Sequence, residues 1–190
     1  MRLGDFSNIR TGLVLSRKKA KSESEAIKEY TSLTLKSFED DGTLNLRDLD
    51  VFVSKEVLNA RYITRRGDVI IRLSHPNTAI YITEDAEGYV IPSQFSVVSI
   101  NNKDLLPSFF SIYFNSSHVK RLISKHQMGA TIPVINNAFL ADLQIVNLPI
   151  DKQRMIADIH SLHLREKELL KDLLDEKEKL FKAVISQLVK

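Results

Sequence analysis

The hydrophobic and polar positions change their period along the chain, and the longest regular pattern occupies its last forty residues. From Asp151 to Lys190 there is no proline or glycine, and leucine, lysine and glutamate dominate. These residues are strong helix formers, so the pattern predicts one helix about 60 Å long, with Asp151 as its cap. We expect such a rod to pack against another helix. The alternative is that it folds back on its own domain.

The apolar residues of this helix form one stripe from Met155 to Leu188, and many follow steps of seven or eleven residues. This mixture predicts a nearly straight pair of helices with little supercoiling. The other positions alternate in charge, which is typical of a solvated face. The residues expected to form the dimer contact are Ile159, Leu162, Leu169, Leu170, Leu173, Leu180, Phe181, Val184 and Leu188.

The chain before this helix starts with strand patterns. Residues alternate from Tyr30 to Ser37, and further short apolar runs cover 51–53, 69–73, 79–83, 89–91 and 95–100. Polar turns separate these runs, which indicates a small, mostly antiparallel or mixed β core.

After residue 101 the period becomes helical. A helix is predicted from Pro107 until Gly129 stops it, followed by a short helix near 136–143 and a strand through 144–148. The fold class is therefore α+β: a small β-rich domain with short helices, followed by one long C-terminal helix in an antiparallel coiled-coil-like pair. We expect the first domain to span residues 1–148 and the helix to span 149–190.

Composition limits the function. The 190 residues include no cysteine, which excludes disulfides, thiolate metal sites and a cysteine nucleophile. No stretch approaches the ~20 apolar residues of a membrane span, so we expect a cytoplasmic protein. The net charge of +3 is small, but Arg17, Lys18, Lys19 and Lys21 are concentrated in one segment. This segment is either a solvated loop or a phosphate-binding loop.

A search for catalytic chemistry finds none. There is no glycine-rich phosphate loop, and His160 and His163 have no nearby third metal ligand. We expect no catalytic residue, no metal and no cofactor, and we expect this chain not to be an enzyme.

Four stretches of the sequence stand out as possible motifs: Leu3-Gly4-Asp5 through Arg10-Thr11-Gly12, Arg66-Gly67-Asp68 with the apolar run after it, Gly129 to Pro133 with Leu140 to Leu148, and Leu148-Pro149-Ile150-Asp151-Lys152-Gln153. Together they resemble the specificity (S) subunits of Type I restriction–modification systems. The family pattern has a second proline at Ile150 and glutamate at Lys152. Members of the family hold two recognition domains and two spacer helices in one chain, whereas this chain has one of each.

The resemblance implies a target-recognition domain that binds double-stranded DNA, and a spacer helix that binds methyltransferase subunits and a restriction subunit, where catalysis takes place. A chain with one domain and one helix is expected to form a homodimer on a bipartite, palindromic site.

Phosphate contacts are expected from Arg17, Lys18, Lys19 and Lys21. Polar side chains in or beside loops are candidates for reading bases: Arg72, Ser74, His75, Asn77, Ser93, Gln94, Gln127 and Thr131. The alternative is a regulatory protein of such a complex that interacts through its coiled coil and does not bind DNA.

Overall fold

A four-stranded antiparallel sheet with helices on one face forms the centre of the protein. The computed structural model describes residues 1–129 and 133–189. The strands are β1 (Ser7–Thr11), β2 (Lys28–Ser32), β3 (Asp50–Ser54), β4 (Asp68–Arg72), β5 (Ala79–Tyr81) and β6 (Phe95–Ile100). The helices are α1 (Pro107–Asn115), α2 (Ser117–Gln127), α3 (Asn137–Asp142) and α4 (Ile150–Leu188). The predicted α+β class is confirmed.

The sheet order is β1-β6-β4-β5, and a separate hairpin pairs β2 with β3. Alternate residues of the strands face opposite sides, so the sheet separates two apolar layers. Val69, Ile71 and Val98 pack with Phe110 and Phe114 beneath the helices. On the other face, a second layer is formed by Ile70, Val97 and Phe95 with Leu33 and Phe38.

Two predicted strands are shorter than their sequence pattern. The alternation from Tyr30 to Ser37 ends as a strand at Ser32, because Thr34 and Ser37 exchange side-chain and backbone hydrogen bonds that close a turn. Residues 89–91 form only isolated bridges, through Val90, to Ser32 and Ile63. Pro92 follows directly and has no N–H to continue a ladder.

The predicted helix from Pro107 to Gly129 is two helices. Ser116 has an extended backbone, and its side chain accepts a hydrogen bond from the Val119 N–H as the cap of α2. The predicted strand 144–148 is also wrong. Gln144 makes one isolated bridge to Arg2, and the Ile145 N–H donates to the carbonyl of Met1 at 2.7 Å. The start of the chain therefore fixes this segment.

The long helix is present, but its N-cap lies two residues earlier than predicted. Its N-cap is Pro149 rather than Asp151, which lies in the first turn. Gln153 is fully buried at its base, and Ile156 packs against the core of the domain. From Arg165 to Val189 every residue is exposed. Most of the helix therefore extends beyond the domain with its apolar stripe uncovered in this chain.

Candidate nucleic-acid interface

The basic segment predicted to contact phosphates lies beside the end of β3. The Lys55 N–H donates to the Lys18 carbonyl at 3.0 Å, and the Ala20 N–H donates to the Val53 carbonyl at 3.0 Å. The side chains of Arg17, Lys19 and Lys21 are exposed. That of Lys18 is half-buried and pairs with Glu56 at 2.7 Å. Three of the four predicted cations are thus presented to solvent on a fixed backbone, and the fourth is partly neutralised.

A second group of predicted residues surrounds the loop after β4. The guanidinium of Arg72 donates to the Leu35 carbonyl at 2.9 Å and to the Ser74 hydroxyl at 3.3 Å. Asn77 is buried with a positive φ of 55°, and its amide donates to the Leu73 carbonyl at 2.7 Å. Arg72 and Asn77 therefore shape this loop from within, and the side chain of Asn77 does not reach the surface.

Helix α2 stabilises the same loop through the side chain of Lys120. The ammonium of Lys120 donates to the carbonyls of Pro76 and Asn77 at 2.7 and 2.8 Å. Burial lowers the pKa of Lys120 to about 8, although the nearby Asp40 carboxylate opposes the shift. The loop presents His75, whose side chain is exposed, at its tip. Gln127 is half-buried beside Asn77.

The depressed pKa of Lys120 predicts a pH dependence of stability. The group has a pKa near 8 in the fold and the ordinary value of 10.5 when unfolded, so the unfolded chain binds more protons between these values. The free energy of unfolding should therefore rise with pH from about 8 to about 10 relative to the variant Lys120→Met. Urea unfolding of both proteins across this range measures the difference. Identical pH profiles would contradict the assignment.

Ser93 and Gln94 lie between the basic segment and the loop after β4. The Ser93 N–H donates to the Leu13 carbonyl at 2.8 Å, and the Leu73 N–H donates to the Gln94 carbonyl at 3.0 Å. Gln94 is exposed. Because β1 and β4 end where β6 begins, the basic segment, residues 93–94 and the loop after β4 share one end of the sheet. The remaining candidate, Thr131, lies outside the described residues.

A groove along β1 adds cations that the sequence did not single out. Two cavities of about 440 and 600 Å³ adjoin, with Asn8, Arg10 and Arg61 in the lining of both. Arg65 lines the first, while Arg17 and Lys18 line the second. The lining in the described part of the chain includes one carboxylate, that of Asp68, which pairs with Arg10 at 3.1 Å.

Because Asp68 is paired with Arg10, the other cations of the lining leave the groove with a net positive charge. Arg61 and Arg65 are exposed at one end, and Arg17 is exposed towards the other. Arg61 also lies over the ring of Tyr62, with its guanidinium carbon 5.3 Å from the ring centroid. A line of guanidinium groups along a groove is suited to a chain of phosphates, because each can donate two parallel hydrogen bonds.

The apolar stripe of α4 is a separate surface. Its exposed members include Leu162 at 71%, Leu173 at 52% and Phe181 at 66% of their full accessibility. All nine residues predicted for the dimer contact are among the exposed large apolar side chains of the protein. A continuous exposed apolar surface of this length is a typical site of association.

Residues 1–129 and 133–189 contain neither a cluster of metal ligands nor a helix that could span a membrane. No group of three or more histidine and acidic side chains is arranged to bind a metal ion there. None of the helices in this part of the chain has both the length and the hydropathy that a membrane span requires.

The sequence matches the family model described as Type I restriction modification DNA specificity domain over residues 1–179. The chain belongs to this family. No curated protein matches the sequence of this chain.

Solved structures share the fold of this specificity domain. The HsdS subunit of Thermoanaerobacter tengcongensis has a TM-score of 0.65 and 18% identity, over 89% of this chain and 43% of that one. The S subunit of M. genitalium has a TM-score of 0.55 and 15% identity, over 93% and 41%.

A third chain was solved in work on complex assembly and conformational transition of the type I R-M system. Its TM-score is 0.66 at 16% identity, over 90% of this chain and 43% of that one. This chain thus spans less than half the length of each of the three proteins. At these identities the likeness concerns the fold.

Sequence reasoning missed the candidate residues that only folding brings together. Arg61 lies in the short helical turn Ala60–Tyr62, Arg65 lies before β4 and Asn8 lies on β1, so no motif joins them. The available signal was weak: Arg65-Arg66 directly precedes the Gly67-Asp68 turn of the specificity domain, and only Arg65 of the two arginines lines the groove. Arg66 pairs instead with Glu84.

Proposed function

We propose that this chain binds double-stranded DNA as the specificity component of a Type I restriction–modification complex. The observation that carries this proposal is the family match, which covers almost the whole chain. The positive groove and the exposed basic segment support it, since phosphate contacts supply most of the sequence-independent affinity for DNA.

In this proposal, two groups of side chains on the domain have different roles in binding DNA. Arg17, Lys19, Lys21, Arg61 and Arg65 contact phosphates and fix the position of the duplex. Bases are read by exposed side chains at the end of the sheet where β4 ends and β6 begins, for which His75 and Gln94 are the best placed. Arg72 and Ser74 position the loop that carries His75.

Catalysis belongs to other chains in this proposal. Methyltransferase subunits, and a restriction subunit with them, would be directed to the site by the specificity chain. The long helix has the exposed surface to dock them and to pair with a second spacer helix. We further propose that two copies pair through this helix, so that a two-fold assembly recognises a bipartite palindromic site.

Removing the basic segment is expected to weaken binding to every DNA sequence. The variant Arg17→Gln/Lys19→Gln/Lys21→Gln should bind random duplex DNA less tightly. Its plot of log K against log salt concentration should be less steep by about three phosphate contacts, because each contact contributes about 0.9 to that slope. Adding Lys18→Gln should change little more, because Lys18 already pairs with Glu56. Adding Arg61→Gln and Arg65→Gln should lower the salt dependence further. Fluorescence anisotropy at several salt concentrations measures these slopes.

A matched control removes the same charge from the exposed side of α4. Lys152→Gln/Lys171→Gln/Lys182→Gln lowers the net charge equally but should leave the salt dependence unchanged. No salt-sensitive binding by the unmodified chain, with or without methyltransferase subunits, would reject DNA reading. Mapping of methylated sites in a host that carries this chain and its methyltransferase would reveal the recognised sequence.

A further inference from the structure

The exposed face of α4 is interrupted by two charges. On a helix with 3.6 residues per turn, Glu166 and Lys177 fall in the middle of the apolar stripe rather than at its edge. Both side chains are exposed, and neither is among the ion pairs within residues 1–129 and 133–189. A charge in the centre of a helix contact costs free energy unless an opposite charge faces it. The two positions therefore limit how a second helix can pack.

The stripe is symmetric about a point between Lys171 and Asp172. Positions at equal distances on either side of this point can be paired, and most of these pairs join residues of matching character. The exceptions among the apolar residues include Leu180, which pairs with His163, and Ile185, which pairs with Asp158. The apolar pairs are Met155 with Leu188, Ile159 with Val184, Leu162 with Phe181, Leu169 with Leu174, and Leu170 with Leu173. In the same series Glu166 pairs with Lys177. The stripe is thus complementary to itself when reversed.

We propose that the partner on this face is a second copy of the chain, antiparallel and in this one register. Glu166 then faces Lys177 of the partner subunit, and by symmetry Lys177 faces the partner's Glu166. The two buried charge pairs select the register, as single polar positions do in coiled coils. This inference rests on the proposed pairing of two copies and adds the register of their helices and the charge pairs that select it.

Other alignments lose this match. A parallel pair would place Glu166 beside the same residue of the other copy and would repel. An antiparallel pair shifted by one heptad, about two helical turns, would place Glu166 opposite Val184 or Leu170. In either shifted register a charge enters an apolar contact without a partner, and this is unfavourable.

The register sets the distance between the two DNA-reading domains. Gln153, which anchors the helix to the domain, lies eighteen to nineteen residues from the symmetry point. At 1.5 Å per residue, the two anchors are about 55 Å apart. This distance is about one and a half turns of duplex DNA at ~34 Å per turn, which is shorter than the full length of the helix would allow.

Charge exchange tests the register directly. Glu166→Lys alone places lysines opposite lysines and should raise the dimer dissociation constant at least tenfold, as should Lys177→Glu alone. The double variant Glu166→Lys/Lys177→Glu should restore the dimer. An equimolar mixture of the two single variants should form the heterodimer preferentially. Glu178→Lys, an exposed position outside the stripe, is the matched control and should leave the dissociation constant unchanged.

Crosslinking gives a second readout, because the chain has no cysteine of its own. Chains carrying Ile159→Cys mixed with chains carrying Val184→Cys should form a disulfide between copies. Crosslinking of Ile159→Cys chains to one another would indicate a parallel pair and overturn the proposal. So would failure of the double exchange to restore dimers, or a monomeric unmodified chain. DNA binding by the monomeric variants, measured separately, distinguishes an error in the register from an error in the proposed function.

Discussion

Replacement of Leu173 and Leu180 by aspartate is expected to reduce the assembly to monomers. Both side chains are more than half exposed in the single chain, at 52% and 65%, and both lie in the stripe that the second helix would cover. An unpaired carboxylate at each position would have to lose its hydration within an apolar contact, at a cost that exceeds the gain from the remaining leucines. Light scattering should give twice 21.7 kDa for the unmodified chain and 21.7 kDa for the variant.

The same variant should separate the two parts of the proposed function. A monomer keeps its DNA-reading domain, so weak, salt-sensitive binding to a single half-site should survive. Tight binding to a bipartite site should be lost, because the second half-site is then bound independently rather than by a linked domain. Ala183→Asp/Ser186→Asp adds two charges to the exposed helix outside the stripe and should remain dimeric. If the unmodified chain is a monomer at high micromolar concentration, self-pairing is wrong.

The elements that sequence reasoning located well are those specified by local periodicity. The N-cap of the long helix was predicted within two residues, because strong helix formers continue without a breaker from Asp151 to the end of the stripe. The strands β3, β4 and β6 were predicted for a similar reason. The break at Ser116 was missed, since serine inside an apolar helical pattern is compatible both with a continued helix and with a new cap.

The short motifs of the specificity domain have physical explanations that the sequence alone did not provide. A Cβ at Gly12 would lie 2.2 Å from the carbonyl oxygen of Pro92, so only glycine fits there. Gly67 has a positive φ of 90° at the turn before β4. Asp68, next to it, is buried and accepts hydrogen bonds from Arg10 and Ser99. Asp68 thereby holds Arg10 of β1, the edge strand along which the positive groove runs.

The groove itself could not be predicted, because its cations come from distant parts of the chain. Arg17 and Arg61 are 44 positions apart, and folding brings them to the lining of one cavity. The burial of Gln153 at the base of the long helix could not be predicted either. Gln153 looks like one polar residue of an exposed helical turn, yet it is completely buried.

Exchange of Gln153 for leucine is expected to destabilise the whole domain. The Gln153 side-chain carbonyl accepts from the Leu106 N–H at 2.9 Å, and its NH₂ group donates to the carbonyls of Asp104 and Leu148 at 2.7 and 2.8 Å. The amide thereby joins the start of α1 to the segment before α4. Leucine has a similar size but satisfies none of these three backbone groups. Each buried group left unpaired costs about 1–3 kcal/mol, so the free energy of unfolding should fall by about 3–5 kcal/mol.

Urea unfolding of the two proteins measures this loss, and hydrogen exchange at the Leu106 amide should show where it arises. Lys152→Leu adds the same apolar side chain at the neighbouring exposed position and should change stability by less than about 0.5 kcal/mol. Gln153→Glu should also be destabilising, because a carboxylate would face the two carbonyl oxygens that the NH₂ group now binds. A loss below about 1 kcal/mol for Gln153→Leu would show that water or a local shift replaces the amide. The helix would then be anchored mainly by apolar contacts such as those of Ile156, and the glutamine of the family motif would need another explanation.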